Sequence, residues 1–273
     1  MKTILLPTDF SKNSLNAMRY AMELFKEDKC KFYVLHTYTP VVYDPQIFMI
    51  EKFDYVLEGV EESLDTVVQQ LKKYAGKNHS FQKIASFNLL ISAINEIVTD
   101  KEIHMVVMGT KGATGAREIL WGSNTVHALK NISCPLLIVP EKYTYKRPKH
   151  ILFPSDFHLN YPLKILEVVK DICLTHESQI HILHVLMNKL DHETTNSKKL
   201  LAQALKDVQH KFHTIEGKNL VKAIMEFEKD FDIDLLVMVN NKHSFFRNLL
   251  FSSPVEKFGF RNENPFLVLP IHK

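Results

Sequence analysis

"KTILLPTDFS" at residues 2–11 returns as "KHILFPSDFH" at residues 149–158, identical at six of ten positions. Each stretch reads as a short apolar strand that ends on proline and turns on an Asp-Phe pair, because proline lacks the N–H that a continuing ladder needs. A second pair, "CPLLIVP" ending at Pro140 and "NPFLVLP" ending at Pro270, closes each copy. Between them "YVLHTY" at 33–38 aligns with "HILHVL" at 181–186. The offset is 147 residues at the first strand, 148 at the second and 130 at the last, so the second copy is 17 residues shorter. The missing length falls after His36, and residues 40–70 carry the extra material of the first copy.

Both copies alternate β-branched runs with longer stretches of helical period, the pattern of a parallel sheet flanked by helices. Strands are expected near 2–7, 31–37, 80–86, 103–109 and 134–139, with helices near 13–28, 51–75, 88–100 and 123–131. In the second copy strands are expected near 149–154, 179–186, 212–216, 233–239 and 265–270, and helices near 160–175, 191–211, 217–230 and 252–260. The domains are therefore 1–143 and 148–273, joined by the polar "EKYTYKRPKH" at 141–150. The helix near 51–75 is amphipathic, with Phe53, Val56, Leu57, Val60, Leu64, Val67, Val68 and Leu71 on the face that would cover the sheet.

The totals narrow the class. At 273 residues the chain suits two ordinary domains, and 45% hydrophobic with 24% charged residues is a globular composition. A net charge of +3, spread over both halves, gives no footprint for nucleic acid. No run of about 18 apolar residues spans a bilayer, and the N-terminus reads as a strand, not a signal peptide. Cys30, Cys134 and Cys173 are odd in number and far apart, which points to a reduced, cytoplasmic protein.

The stretch "GTKGATGAREILWGSN" at 109–124 holds four of the eight glycines and the single tryptophan. With strand order 3-2-1-4-5, the crevice outside the carboxyl ends of the first and fourth strands faces "PTDFS" toward this loop. Gly109 and Gly112 would allow close approach to bare backbone and would tolerate φ > 0. Gly122-Ser123-Asn124-Thr125 opens a helix, with Ser123 as its N-cap and unpaired N–H groups behind it, an anion site of backbone and hydroxyls. Neither of the two better-known phosphate loops is present.

The spacing Gly109-x2-Gly112-x9-Gly122-Ser123, with "PTDFS" after the first strand and "CPLLIVP" at the last, resembles the ATP-binding branch of the universal stress protein family. Both halves resemble that domain. The resemblance implies an α/β fold of two tandem doubly wound, Rossmann-like domains of the adenine nucleotide alpha hydrolase type, each a five-stranded parallel sheet. It implies a cytoplasmic stress-response or signalling module that holds an adenine nucleotide in its first half: ATP, with AMP or ADP as alternatives and magnesium entering through the phosphates. Pro7, Thr8 and Asp9 match the segment against adenine and ribose, and Asp9 would accept from sugar hydroxyls. Thr37 matches the position whose backbone reads the adenine edge. Met108 and Gly109 would line the ribose side, and Gly112, Gly122, Ser123, Asn124 and Thr125 would hold phosphates. It also implies that the two domains pair through their last strands, with a homodimer of whole chains as a further option.

The second copy departs from this pattern: at the offset of 130, Gly109, Gly112 and Gly122 become Val239, Lys242 and Ser252. A nucleotide is therefore expected in the first half alone. Two other readings stay open. A slow ATPase or adenylating enzyme would need a positioned water and a residue to orient it, and no carboxylate except Asp9 stands beside the loop. A ligand-free interaction scaffold would use the loop only as a connection. Lys111 and Arg117 could add charge to phosphate contacts. "HSFFRNLLF" at 243–251 would plug the second crevice, dock on the partner half or form an exposed patch. The histidines of "HILH" and "HKFH" are read as core or surface residues, not metal ligands, because His181 and His184 point to opposite faces of one strand.

Overall fold

In the computed structural model, the described residues are 1–38, 50–110, 122–157, 162–186, 192–217, 220–240 and 263–271. The chain divides into two compact units, with the change between Thr144 and Tyr145. No helix among the described residues is long and apolar enough to cross a membrane.

The first unit runs β1 (Lys2–Pro7), α1 (Lys12–Leu24), β2 (Cys30–Thr37), α2 (Ile50–Lys72), β3 (His79–Ser86), α3 (Leu90–Asp100), β4 (Met105–Gly109), α4 (Ser123–Asn131) and β5 (Leu136–Val139). All its strand pairs are parallel and stand in the order β3-β2-β1-β4-β5. The central strands are apolar without alternation because helices cover both faces of such a sheet. Leu5, Leu6, Val34, Leu35, Val106 and Leu137 are accordingly sealed from solvent. The edge strand β3 instead carries half-buried and exposed residues along its length.

Two helix expectations shift. α1 ends at Leu24 and not near 28, because the polar "KEDK" turns back and Asp28 pairs with Lys2 at 2.7 Å. In α2 the apolar stripe buries Leu64, Val67, Val68 and Leu71, but Val56 is 44% exposed and Tyr55 is 74% exposed. Among the side chains described, from Tyr55 on, the buried ones lie in the C-terminal part of that helix; Phe53 lies outside them.

The second unit runs β6 (His150–Pro154), a 3-10 turn (Leu163–Leu166), α5 (Glu167–His176), β7 (Gln179–Leu186), α6 (His192–Ala204), β8 (Gln209–Glu216), α7 (Leu220–Asp230), β9 (Leu235–Asn240) and β10 (Phe266–Pro270). Its strands are parallel in the order β8-β7-β6-β9-β10, the same winding as the first. The helix expected over 191–211 stops at Ala204, and Gln209–Lys211 belong to β8. Buried Leu205 and Val208 pin the turn, and pairing of Gln209 with Gln179 draws the following residues into the sheet against their helical period. The helix expected near 160–175 starts as a 3-10 turn behind Pro162. The helix expected near 252–260 lies outside the described residues. Cys134 and Cys173 are buried, and burial pushes each thiol up to about 12.

Candidate functional site

The site grows from the turn that follows β1. Thr8 is buried, and its hydroxyl lies 3.0 Å from that of Ser14 while accepting the N–H of Phe10 at 2.9 Å. Asp9 is half-buried and accepts the N–H of Ser11 at 3.1 Å, an Asx-type turn. Phe10 takes φ 63°, the left-handed conformation that this tight reversal requires. α1 is then capped by Ser11, whose side chain accepts the N–H of Ser14 at 3.2 Å. The cap is therefore Ser11, and the Asp9 carboxylate shapes the turn in front of it.

A histidine on the neighbouring strand locks this turn. His36 Nδ1 lies 2.7 Å from the Thr8 carbonyl, so Nδ1 carries the proton, since a carbonyl only accepts. The Phe10 ring lies over the His36 ring at 4.3 Å between centroids. The second unit repeats the arrangement: His184 Nδ1 is 2.9 Å from the Ser155 carbonyl, Phe157 stands at φ 62° and stacks on His184 at 4.9 Å. The Asp-Phe turn is thus common to both copies.

β4 ends beside this turn, since Leu5 pairs with Val106 and the two strands run parallel. Met108 is buried and Gly109 is sealed within the same element. A Cβ on Gly109 would stand 2.6 Å from the side chain of Asn13 on α1. What requires the bare backbone at 109 is therefore Asn13, a residue the sequence reading passed over. Asn13 sits in line with Ala17, Ala21 and Leu24 on the buried face of α1, so a polar residue on an apolar stripe was the available signal.

The loop that starts at Thr110 is closed at its base, because the N–H of Gly122 donates to the Thr110 carbonyl at 2.8 Å. Gly122 is the N-cap residue of α4, with φ −58° and no side-chain cap, and Ser123 is the first helical residue. This corrects the expected cap at Ser123. Neither is a positive φ the reason for the described glycines, since none of them has one. Ser123 and Asn124 are exposed at the helix start. Thr125 is buried, and its hydroxyl faces the carbonyls of Gly109 at 3.1 Å and Thr110 at 3.2 Å. It joins α4 to the end of β4 and leaves only its backbone N–H for an anion.

Pro7, Thr8, Asp9, Met108, Gly109, Gly122, Ser123, Asn124 and Thr125 therefore cluster at the carboxyl ends of β1 and β4, where the winding reverses direction. Thr37 closes β2 on the far side of β1, half-buried and paired with Ser86. Gly112, Lys111, Arg117 and the "HSFFRNLLF" stretch lie outside the described residues. The chemistry on offer is that of a binding site: helix N–H groups that no described side chain caps, with partial positive charge, at one end and a carboxylate at the other. No group of three or more histidine, cysteine, aspartate or glutamate side chains among the described residues is placed to hold a metal ion.

The sequence model of the Universal stress protein family matches residues 1–140. Universal stress protein MJ0531 of Methanocaldococcus jannaschii is 31% identical over 151 residues, covering 54% of this chain and 84% of that protein. Universal stress protein YxiE of Bacillus subtilis is 26% identical over 146 residues, covering 50% of this chain and 97% of its own. Among solved structures, a universal stress protein from Archaeoglobus fulgidus is similar in fold over 98% of this chain and 96% of that one, with a TM-score of 0.72 at 20% identity.

Proposed function

Because the chain belongs to the universal stress protein family, we propose that its first half is a receptor for an adenine nucleotide, ATP in the first instance, and that its second half is not. The observation that carries this reading is the open start of α4. Gly122 offers no side chain to the first N–H groups of the helix, and Ser123 and Asn124 stand exposed beside them. A helix of nine residues with an uncapped start, one strand away from a half-buried carboxylate, suits a ligand with phosphates at one end and a hydroxylated sugar at the other. Asp9 would accept from the ribose hydroxyls, and the Thr37 backbone would meet the adenine edge. Gly112, Gly122, Ser123, Asn124 and the Thr125 N–H would surround the phosphates, and magnesium would enter only through those phosphates. Among the described residues Asp9 is the carboxylate beside the crevice and it is assigned to the ribose, so the reading is nucleotide-dependent signalling under stress.

The second half keeps the Asp-Phe turn but has Val239 and Asn240 where the first has Gly109 and Thr110. Mass spectrometry of small molecules released from the purified chain tests the reading. An adenine nucleotide at up to one equivalent per chain is expected, and a second equivalent would contradict it.

A further inference from the structure

The second unit carries a feature that the nucleotide reading leaves unused. His150 on β6, His181 on β7 and His213 on β8 form a row across three adjacent strands. His150 Nδ1 lies 3.1 Å from His181 Nε2, and His181 Nδ1 lies 3.1 Å from His213 Nε2. The row runs diagonally, since His181 pairs with Leu152 and His213 with Leu183. His181, in the middle, is 2% exposed. Phe227 of α7 and Phe231 just past its end, stacked on each other at 4.2 Å, lie against it: Phe231 is 5.2 Å from the His181 ring and 5.0 Å from the His213 ring. In the first unit the same register positions hold Thr3, Tyr33 and Ile84, and the residues matching Phe227 and Phe231 are Ile97 of α3 and Lys101 at its C-cap. Row and aromatic cover therefore occur together in one unit and are absent together from the other.

Proton counting gives the row its chemistry. Each N···N contact accommodates one proton, and one outer nitrogen remains at each end, on His150 and on His213. Three neutral imidazoles bring three protons, which fill both contacts and one end. A fourth proton fills the other end, leaves both hydrogen bonds intact and gives the row a single positive charge. A fifth would set two N–H groups face to face. The row thus takes up one proton as a unit, and that charge falls on imidazoles packed against the Phe227–Phe231 pair, with His181 at its centre sealed from solvent.

We propose that the three histidines are a proton-binding site that sets how firmly the C-terminal half of α7 is held on the second unit: proton uptake loosens the Phe227–Phe231 end, and docking of that end expels the proton. The surroundings agree in sign. Burial and the neighbouring Lys211 both hold His213 below the ordinary imidazole range, and burial with the flanking histidines takes His181 to about 4. Lys149 is drawn away toward Glu177 at 3.4 Å. Asp234, just ahead of β9, accepts the backbone N–H groups of Lys149 and His150, at 2.8 and 3.0 Å. On α7, Lys222 pairs with Glu226 at 3.6 Å, and Glu226 and Asp230 line the groove beside His213, as does Glu216 of β8. These carboxylates would favour the charged row once α7 moves and water enters. Glu228, on the same helix, faces Asn264 and Glu263, and its carboxyl is pushed up to about 7 by burial, so it opposes the row over the acidic range.

Hydrogen exchange of the full chain, read by mass spectrometry and corrected for intrinsic rates, tests this. In Glu228→Gln, which removes the opposing carboxyl, the peptides over 224–231 should lose protection by about tenfold between pH 7.5 and pH 5, the change that one proton-linked pH decade gives, while α3 peptides stay unchanged. Added to Glu228→Gln, His181→Tyr and His213→Ile, each restoring the first-unit residue, should abolish the pH response; the two variants are read separately, so the misfolding of one leaves the other to decide. In parallel, the imidazole resonances should report uptake of one proton per row. Protection over 224–231 that ignores pH in Glu228→Gln, a response that survives in a folded histidine variant, or three independent titrations near the ordinary imidazole value would each overturn the proposal.

Discussion

The side chain of Asn13 occupies the space in which a Cβ of Gly109 would stand, at 2.6 Å. That relationship joins α1 to the end of β4 at the mouth of the proposed nucleotide crevice. It predicts that Gly109→Ala destabilises the chain by roughly 1–3 kcal/mol, the usual range for an overpacked core position. In an Asn13→Ala background the same substitution should cost much less. A double-mutant cycle read by urea denaturation checks this; additive losses would show that the two residues do not meet.

Thr125 is expected to act as a latch. Its hydroxyl reaches the carbonyls of Gly109 and Thr110 from a buried position, so Thr125→Val removes that donor from both, while Thr110 keeps the Gly122 N–H, and should lower stability by about 1–2 kcal/mol. Thr125→Ser should restore most of it. Thermal melts of the three proteins make the comparison.

His36 and His184 offer a control within one molecule. Each donates from Nδ1 to the carbonyl of the residue before the Asp-Phe turn, at 2.7 and 2.9 Å. His36→Phe and His184→Phe keep a ring for the stacked phenylalanine but lose the donor, and both should cost about 1–2 kcal/mol in denaturation. Nucleotide affinity, measured by fluorescence titration with a labelled ATP analogue, should fall for His36→Phe and hold for His184→Phe.

The second unit should show opposed pH slopes. Glu228, raised from 4.5 to about 7, binds more protons folded than unfolded between those values, so its contribution is complete below about 4.5 and is lost as pH rises through about 7. His181, lowered from 6.5 to about 4, binds fewer, so its contribution is present above about 6.5 and is lost as pH falls toward 4. Glu228→Gln should leave stability that rises with pH over this window, and His181→Tyr stability that falls, each by about 1–3 kcal/mol. Urea midpoints at half-unit pH steps read both slopes.

The repeat and the apolar runs made the winding legible. "KTILLP", "HMVVMG" and "PLLIVP" admit little besides buried parallel strands, and they fall within two residues of β1, β4 and β5. Where tertiary pairing competes with local period the reading slipped: "LKDVQHKFH" continues a helical pattern, yet its second half pairs with β7. The site was half legible. Asp9, Gly122 and Ser123 gather where expected, but the reasons for two residues differ. Gly109 answers to Asn13, and Thr125 turns its hydroxyl toward the β4 carbonyls; neither contact can be seen without the packing of α1 and α4. The histidine row was hidden for a related reason, since its members lie about 30 residues apart and meet only through the diagonal register of three strands.

Isothermal calorimetry with ATP tests the central claim most directly. The account predicts one site per chain, lost in Asp9→Ala and in Gly122→Val and kept in Asp156→Ala, the matching change in the second half. No binding by the wild-type chain, or loss of the site in Asp156→Ala with retention in Asp9→Ala, would contradict it.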